Sequence, residues 1–338
     1  MLQKKGLKVI SALCVAAFVF AGCSRRNESV GASAGQDRMK VALLLSGPAN
    51  DQGWNAVAFE GLQKAEVQYG LATAYTENVG IPDSDVAYTD FASQGYDLII
   101  GHGFQFGDPA VRVSAKFPNT KFMAIESNSY SNNAASYVMA CEEAGYLIGI
   151  LAASVSSTGR LGIVGGFEQP SIVKVLEAYK LGARRYNPDI VIYDMYINSF
   201  TDVAAGKEAA LSMADRGADV LSHCANQAGT GVIKAAEERG LLATGDSWDQ
   251  NPIAPDTVIC STIYSVPQVV LAAVEKVRTG TFQGGVFNLG MRDGVIDIAP
   301  YHGFEDRIPQ DAKDMVQDIK AKIMSGEFTV PVIEQRTN

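Results

Sequence analysis

Gln94-Gly95-Tyr96-Asp97-Leu98-Ile99 is echoed by Arg216-Gly217-Ala218-Asp219-Val220-Leu221, an offset of 219 − 97 = 122 residues. Each hexamer reads as a helix end, a glycine cap, an aspartate and the start of a buried strand. Met39-Lys40-Val41 and Arg160-Leu161-Gly162 open strands at nearly the same offset. Two matches at one spacing predict two similar open-sheet lobes.

The pattern extends outward from those hexamers. Residues 41–45 form a continuous apolar run, as a strand buried on both faces does. Residues 53–69 put Val57, Ala58, Gly61, Leu62 and Ala65 on one helical face. Further strands are expected at 98–100, 122–125, 161–164, 190–193, 220–222, 241–244 and 258–263. Helical stretches separate them, including one ending at Tyr186, one starting at Asp202, one over 231–239 and one ending at Arg278. Alternation of this kind predicts an α/β chain in which each lobe is a doubly wound, mostly parallel sheet with helices on both faces. In such sheets ligands sit beyond the carboxyl ends of the strands. Two facing lobes would therefore enclose a cleft lined by strand-end loops.

The start of the chain has a different character. Lys4, Lys5 and Lys8 precede an apolar run over 9–20, followed by Ala21-Gly22-Cys23. A basic start, a short apolar core and small residues make a secretory signal, expected to cover 1–22. The run is short of the ~20 residues that span a bilayer. Phe20-Ala21-Gly22-Cys23 resembles a bacterial lipobox, so Cys23 is the expected lipidation site, and two acyl chains suffice for stable anchoring. Residues 23–38 read as a flexible tether. The chain is expected to be exported and held at the cell membrane by lipid, facing the periplasm or exterior.

The formal charge is −9; without the three leader lysines it is −9 − 3 = −12. That argues against a nucleic-acid or anionic-lipid surface. Of the five cysteines, Cys14 leaves with the leader and Cys23 takes lipid. Cys141, Cys224 and Cys260 have neither disulfide-framework nor metal-ligand spacing and read as small buried residues. His102, His223 and His302 lack metal spacing, and neither a nucleophile elbow nor a phosphate loop is present. No catalytic residue, cofactor or metal is expected; the pattern favours binding over chemistry.

The loops at strand ends carry the candidate site. After the first strand, Ser46 to Asn55 brings Asp51, Trp54 and Asn55 to a loop–helix junction, where a flat polar ring could stack and find polar partners. Gly101 to Gly107 follows another strand, and its glycines let a ligand approach Gly103, Phe104 and Gln105. Phe200 lies past a strand in the second half and would oppose Trp54, with Asp202 capping the next helix. Gln227 follows one strand; Asp246, Trp248 and Asp249 follow another; Tyr264 ends the last.

Several of these stretches resemble the basic membrane protein family, lipoprotein substrate-binding subunits of ABC importers that include a spirochaetal purine nucleoside receptor. The matching residues are Ser46-Gly47 through Asp51 to Trp54-Asn55, Ser114 to Pro118, Asn198-Ser199-Phe200 with Asp202, and Ala225 to Ile233. The resemblance spans Met39 to Pro331. It implies a type I periplasmic-binding-protein-like fold that closes on its ligand. The expected division is 39–142 plus 264–287 for the N-terminal lobe and 143–263 plus 288–332 for the C-terminal lobe. It implies Trp54 and Phe200 as the aromatics that sandwich a ring, and permease and ATPase subunits as partners of a monomer. Two departures stand out: Gly245-Asp246-Ser247 where the family's ribose-binding stretch reads Gly-Val-Asp, and Tyr264 in place of a lysine. With Trp248 and Tyr264 counted as cleft aromatics, these departures favour riboflavin, which a spirochaetal lipoprotein of the same general fold binds. A purine nucleoside or nucleobase is the alternative ligand. A surface adhesin is the alternative of another class.

Overall fold

The computed structural model describes residues 38–51 and 53–337. The expected leader, Cys23 and all but the last residue of the expected tether lie outside the described residues.

The chain begins with β1 (Lys40–Leu45), α1 (Trp54–Tyr69), β2 (Ala72–Thr76), α2 (Ser84–Ser93), β3 (Leu98–His102), α3 (Gly107–Ser114), β4 (Lys121–Ile125) and β5 (Ala134–Met139). It continues through α4 (Cys141–Val155), β6 (Arg160–Gly165), α5 (Pro170–Tyr186), β7 (Val191–Tyr196), α6 (Val203–Asp215), β8 (Val220–Cys224), α7 (Gly229–Arg239), β9 (Leu242–Gly245) and β10 (Val258–Tyr264). The last elements are α8 (Val266–Arg278), β11 (Gly285–Leu289), β12 (Ile296–Ile298) and α9 (Gln310–Ser325). One sheet runs β11-β5-β4-β3-β1-β2 with every pair parallel. The other runs β12-β10-β9-β8-β6-β7 and is parallel except at β10–β12. This is a two-lobed α/β fold, with the same strand plan in both sheets.

The repeated hexamer does the same work in both lobes. Asp97 N–H donates to the Lys40 carbonyl at 2.9 Å, and Asp219 N–H to the Arg160 carbonyl at 3.1 Å. The carbonyl of Asp97 accepts from Lys121 at 2.8 Å, and that of Asp219 from Leu242 at 3.1 Å. Gly95 and Gly217 turn the chain out of the preceding helix with φ of +72° and +94°, where a side chain would be strained. Each motif thus ends a helix and starts the strand beside the first strand of its sheet.

The strands nearest each sheet's centre are almost wholly buried; Leu43, Ile100, Leu161 and Leu221 are all fully covered. α8 returns to the first lobe and packs on α1, while α4 and α9 pack together in the second. The chain therefore crosses between sheets after β5, between β10 and α8, and after β11. Hydrogen bonds brace these crossings: Ala140 N–H to the Leu289 carbonyl at 2.8 Å, Ser265 N–H to the Val295 carbonyl at 2.6 Å, and Met291 N–H to Glu143 Oε2 at 2.7 Å. Among the described residues no helix is long and apolar enough to cross a membrane.

Candidate functional site

The loop from β1 into α1 is organised by one carboxylate. Asp51 accepts from the main-chain N–H groups of Gly53 (2.9 Å), Asn55 (3.0 Å) and Ala56 (3.0 Å). It also accepts from the Asn55 amide at 2.8 Å. These are the orphan donors of a helix N-terminus, and an anion suits that end of the dipole. Asp51 and Asn55 are buried and spent on each other. Neither is among the residues that line the cavity beside Trp54.

Trp54 lines a cavity between the lobes, with roughly 640 Å³ of empty space including its open mouth. Behind the indole lies His102, its ring stacked at 4.0 Å between centroids and 23° between planes. His102 Nε2 donates to the Trp54 carbonyl at 2.8 Å. Burial lowers the pKa of His102 to about 4, so the ring is neutral at pH 7. Gly103, Phe104 and Gln105 also line the cavity.

Phe200 enters from the second lobe, in the loop between β7 and α6, packed against Phe167 at 5.0 Å between centroids. Asp202 caps α6 as its sequence position suggests, accepting from Ala205 N–H at 3.0 Å. Asp246, at the end of β9, faces the cavity while accepting three hydroxyls. Thr262 and Tyr264 donate to its Oδ1 at 3.0 and 2.9 Å, and Ser247 to its Oδ2 at 3.0 Å. Tyr264 lines the cavity too, but its hydroxyl is committed to Asp246; burial and that carboxylate keep it protonated.

The remaining expected residues do not reach the cavity. Trp248 packs against the main core, and Asp249 pairs with His302 at 2.7 Å. Gln227 yields its place to its neighbour Asn226, which does line the cavity. A tryptophan at a strand end can plug the core as readily as face a ligand, and sequence alone does not separate the two.

Residues 38–334 match the sequence profile of the Bmp family, described as ABC transporter substrate-binding protein, PnrA-like. The chain belongs to this family. It is similar to a purine-binding protein of Brucella abortus, 28% identical over 90% of this chain and 87% of that protein. It is also similar to the ABC transporter nucleoside-binding protein BmpA of Lactococcus lactis, 29% identical over 97% and 99%. Among solved structures it resembles an ABC transporter solute-binding protein from Aeropyrum pernix K1, with a TM-score of 0.80 and 25% identity over 87% of this chain and 94% of that one. The family is one of binding proteins, not enzymes. Such a protein takes a small molecule and serves permease and ATPase subunits.

Several cavity residues carried no signal in the sequence. Glu126 follows β4 with φ of +63°, uncommon for a residue other than glycine. Its carboxylate accepts from Met139 N–H at 2.6 Å and lies 3.7 Å from Lys174 Nζ. Lys174, on α5, also meets Glu142 at 3.2 Å and donates to the Met139 carbonyl at 2.6 Å. Burial disfavours the Lys174 ammonium, but Glu126 and Glu142 outweigh it and raise its pKa. Burial raises the pKa of Glu126, with Lys174 opposing. Cys141 and Cys224, expected only to be buried, are free thiols that also line the cavity. Burial pushes both thiols up, so they form a neutral, soft wall. The lining thus has aromatic faces, thiols and two carboxyl groups, Glu126 and Asp246, and among the described residues it holds no lysine or arginine.

Proposed function

We propose that the chain is a lipid-anchored, exported receptor that captures a purine nucleoside or purine base between its lobes. The observation that carries this reading is the pairing of Trp54 and Phe200, from opposite lobes, with the buried carboxylate of Asp246 in one cavity. The aromatics supply stacking faces for a heterocycle. Asp246 accepts three hydroxyls from its own lobe, two on Oδ1 and one on Oδ2, which leaves a lone-pair site on Oδ2 for one ribose hydroxyl. The names of the Brucella and Lactococcus relatives support the same ligand class.

Riboflavin, expected from the sequence, has weaker support. That expectation counted Trp248 and Tyr264 as free cleft aromatics and a charged clamp as lost. Trp248 is half-buried against the core and is not among the residues that line the cavity, the Tyr264 hydroxyl is bound to Asp246, and Asp246 itself is a carboxylate acceptor in the cavity. A buried cavity between lobes also suits a small molecule better than the surface of an adhesin does.

Titration of refolded, ligand-free protein with guanosine, adenosine, adenine and riboflavin decides among these ligands. The expected result is tight binding of a purine, read by calorimetry and by a change in Trp54 emission. Quenching of riboflavin fluorescence with no purine binding would overturn the reading in favour of the flavin.

A further inference from the structure

Asn226 stands on the second lobe, in the turn between β8 and α7, yet its amide is bonded to the first. Its Oδ1 accepts the main-chain N–H of Trp54 at 2.8 Å, and its Nδ2 donates to Asp51 Oδ2 at 3.0 Å. Trp54 opens α1, and Asp51 lies in the loop that leads into it. Asp51 satisfies the N–H groups of Gly53, Asn55 and Ala56. The N–H of Trp54 is left to Asn226, so the cap of this helix is completed from the opposite lobe.

Two local features accommodate the contact. A Cβ at Gly53 would lie 2.5 Å from Asn226 Oδ1, so a larger residue there would displace the amide. Asn226 has φ of +48°, a conformation that asparagine adopts more readily than most residues. Asn226 also lines the cavity.

We propose that Asn226 is an interlobe clasp and a positioning residue: it completes the cap of α1 across the cleft and so ties the closed arrangement of the lobes to the placement of Trp54. The contacts run from protein to protein, so their free energy favours the closed arrangement itself. A protein whose binding-competent state is more populated binds its ligand more tightly. The gain should appear mainly as slower release. The inference rests on the proposed purine reading only for the choice of ligand.

Two variants test it. Asn226→Gly removes the amide and tolerates the positive φ. Asn226→Asp keeps an acceptor for the Trp54 N–H but sets a second carboxylate against Asp51. Small-angle scattering of ligand-free protein should give a larger radius of gyration for both variants than for wild type, largest for Asn226→Asp. Guanosine affinity should fall about tenfold in Asn226→Gly and further in Asn226→Asp, through faster dissociation. Unchanged scattering and unchanged affinity in both variants would overturn the clasp while leaving the purine reading intact. If no purine binds wild type but scattering still separates the variants, the clasp stands and the ligand reading falls.

Discussion

The imidazole of His102 lies against the indole of Trp54 at 4.0 Å and donates to the same residue's carbonyl at 2.8 Å. One residue therefore fixes both the ring and the backbone of the principal aromatic in the cavity. Fixing a binding side chain in advance reduces the ordering cost that a ligand must meet.

Trp54→Ala and Phe200→Ala should each weaken purine binding by at least about tenfold. A stacked pair is worth ~0.5–1.5 kcal/mol beyond the area it buries, and truncation removes that area too. His102→Phe keeps a ring behind Trp54 but loses the hydrogen bond, and should cost less. Calorimetric titration measures all three; wild-type affinity in every variant would remove these residues from the site.

His102 should also make stability depend on pH. Its folded pKa is about 4 against an ordinary 6.5, a difference of 6.5 − 4 = 2.5. Between those values the unfolded chain binds a proton that the folded chain does not. Stability from this residue is therefore complete above pH 6.5 and is lost as pH falls towards 4, by about 3 kcal/mol in all. Urea unfolding of wild type and His102→Phe checks this: the wild-type curve should fall more steeply from pH 7 to pH 5. Parallel curves would contradict a neutral, buried His102.

Asp246→Asn separates sugar recognition from base recognition. A hydrogen bond to a charged group is worth ~1.5–3 kcal/mol, so nucleoside affinity should fall by roughly ten- to a hundredfold. Binding of the free base adenine should change little. Equal losses for base and nucleoside would mean that Asp246 holds the cavity wall and not the ribose.

Cys23 is the proposed lipid anchor, on the strength of the basic-apolar leader and Ala21-Gly22 before it. Cys23→Ala should shift the protein from the membrane fraction to the soluble fraction. Detergent-phase partitioning that survives the substitution would end the idea.

The fold was legible where burial leaves a pattern. Continuous apolar runs marked β1, β3, β4, β6 and β8, and the Gly-x-Asp motif marked the repeat. The edge strands β2 and β11 were missed because they lie at the sheet margins, where residues such as Thr73, Tyr75 and Asn288 break any apolar run. β5 was missed because Ala134, Ala135 and Ser136 are too small to signal burial. α4 was missed for the opposite reason: it is buried on nearly all sides and has no polar face to give a helical period. In the site, strand-end loops located Trp54, Phe104, Phe200 and Asp246. Sequence could not tell a carboxylate that caps a helix, Asp51, from one that faces the cavity, Asp246. Nor could it reveal Glu126 or Asn226, whose roles depend on contacts with residues far away in the chain.

Lys174 supplies the last prediction. It is the buried cation between Glu126 and Glu142, at 3.7 and 3.2 Å, where α5 meets the crossing after β5. Lys174→Met keeps most of the side-chain volume but leaves two buried carboxylates without a counter-charge. Breaking such a group by removing one partner costs about 3–5 kcal/mol. The loss should be largest at pH 8 and shrink towards pH 5. Without Lys174 the folded pKa of Glu126 lies further above its unfolded value, so protonation relieves the strain as pH falls. Glu126→Gln in the Lys174→Met background should recover part of the loss at pH 8, because it removes one of the uncompensated charges. Urea unfolding of wild type and the two variants measures this; a pH-independent loss without recovery would show that Lys174 acts through packing and its bond to the Met139 carbonyl, not through charge.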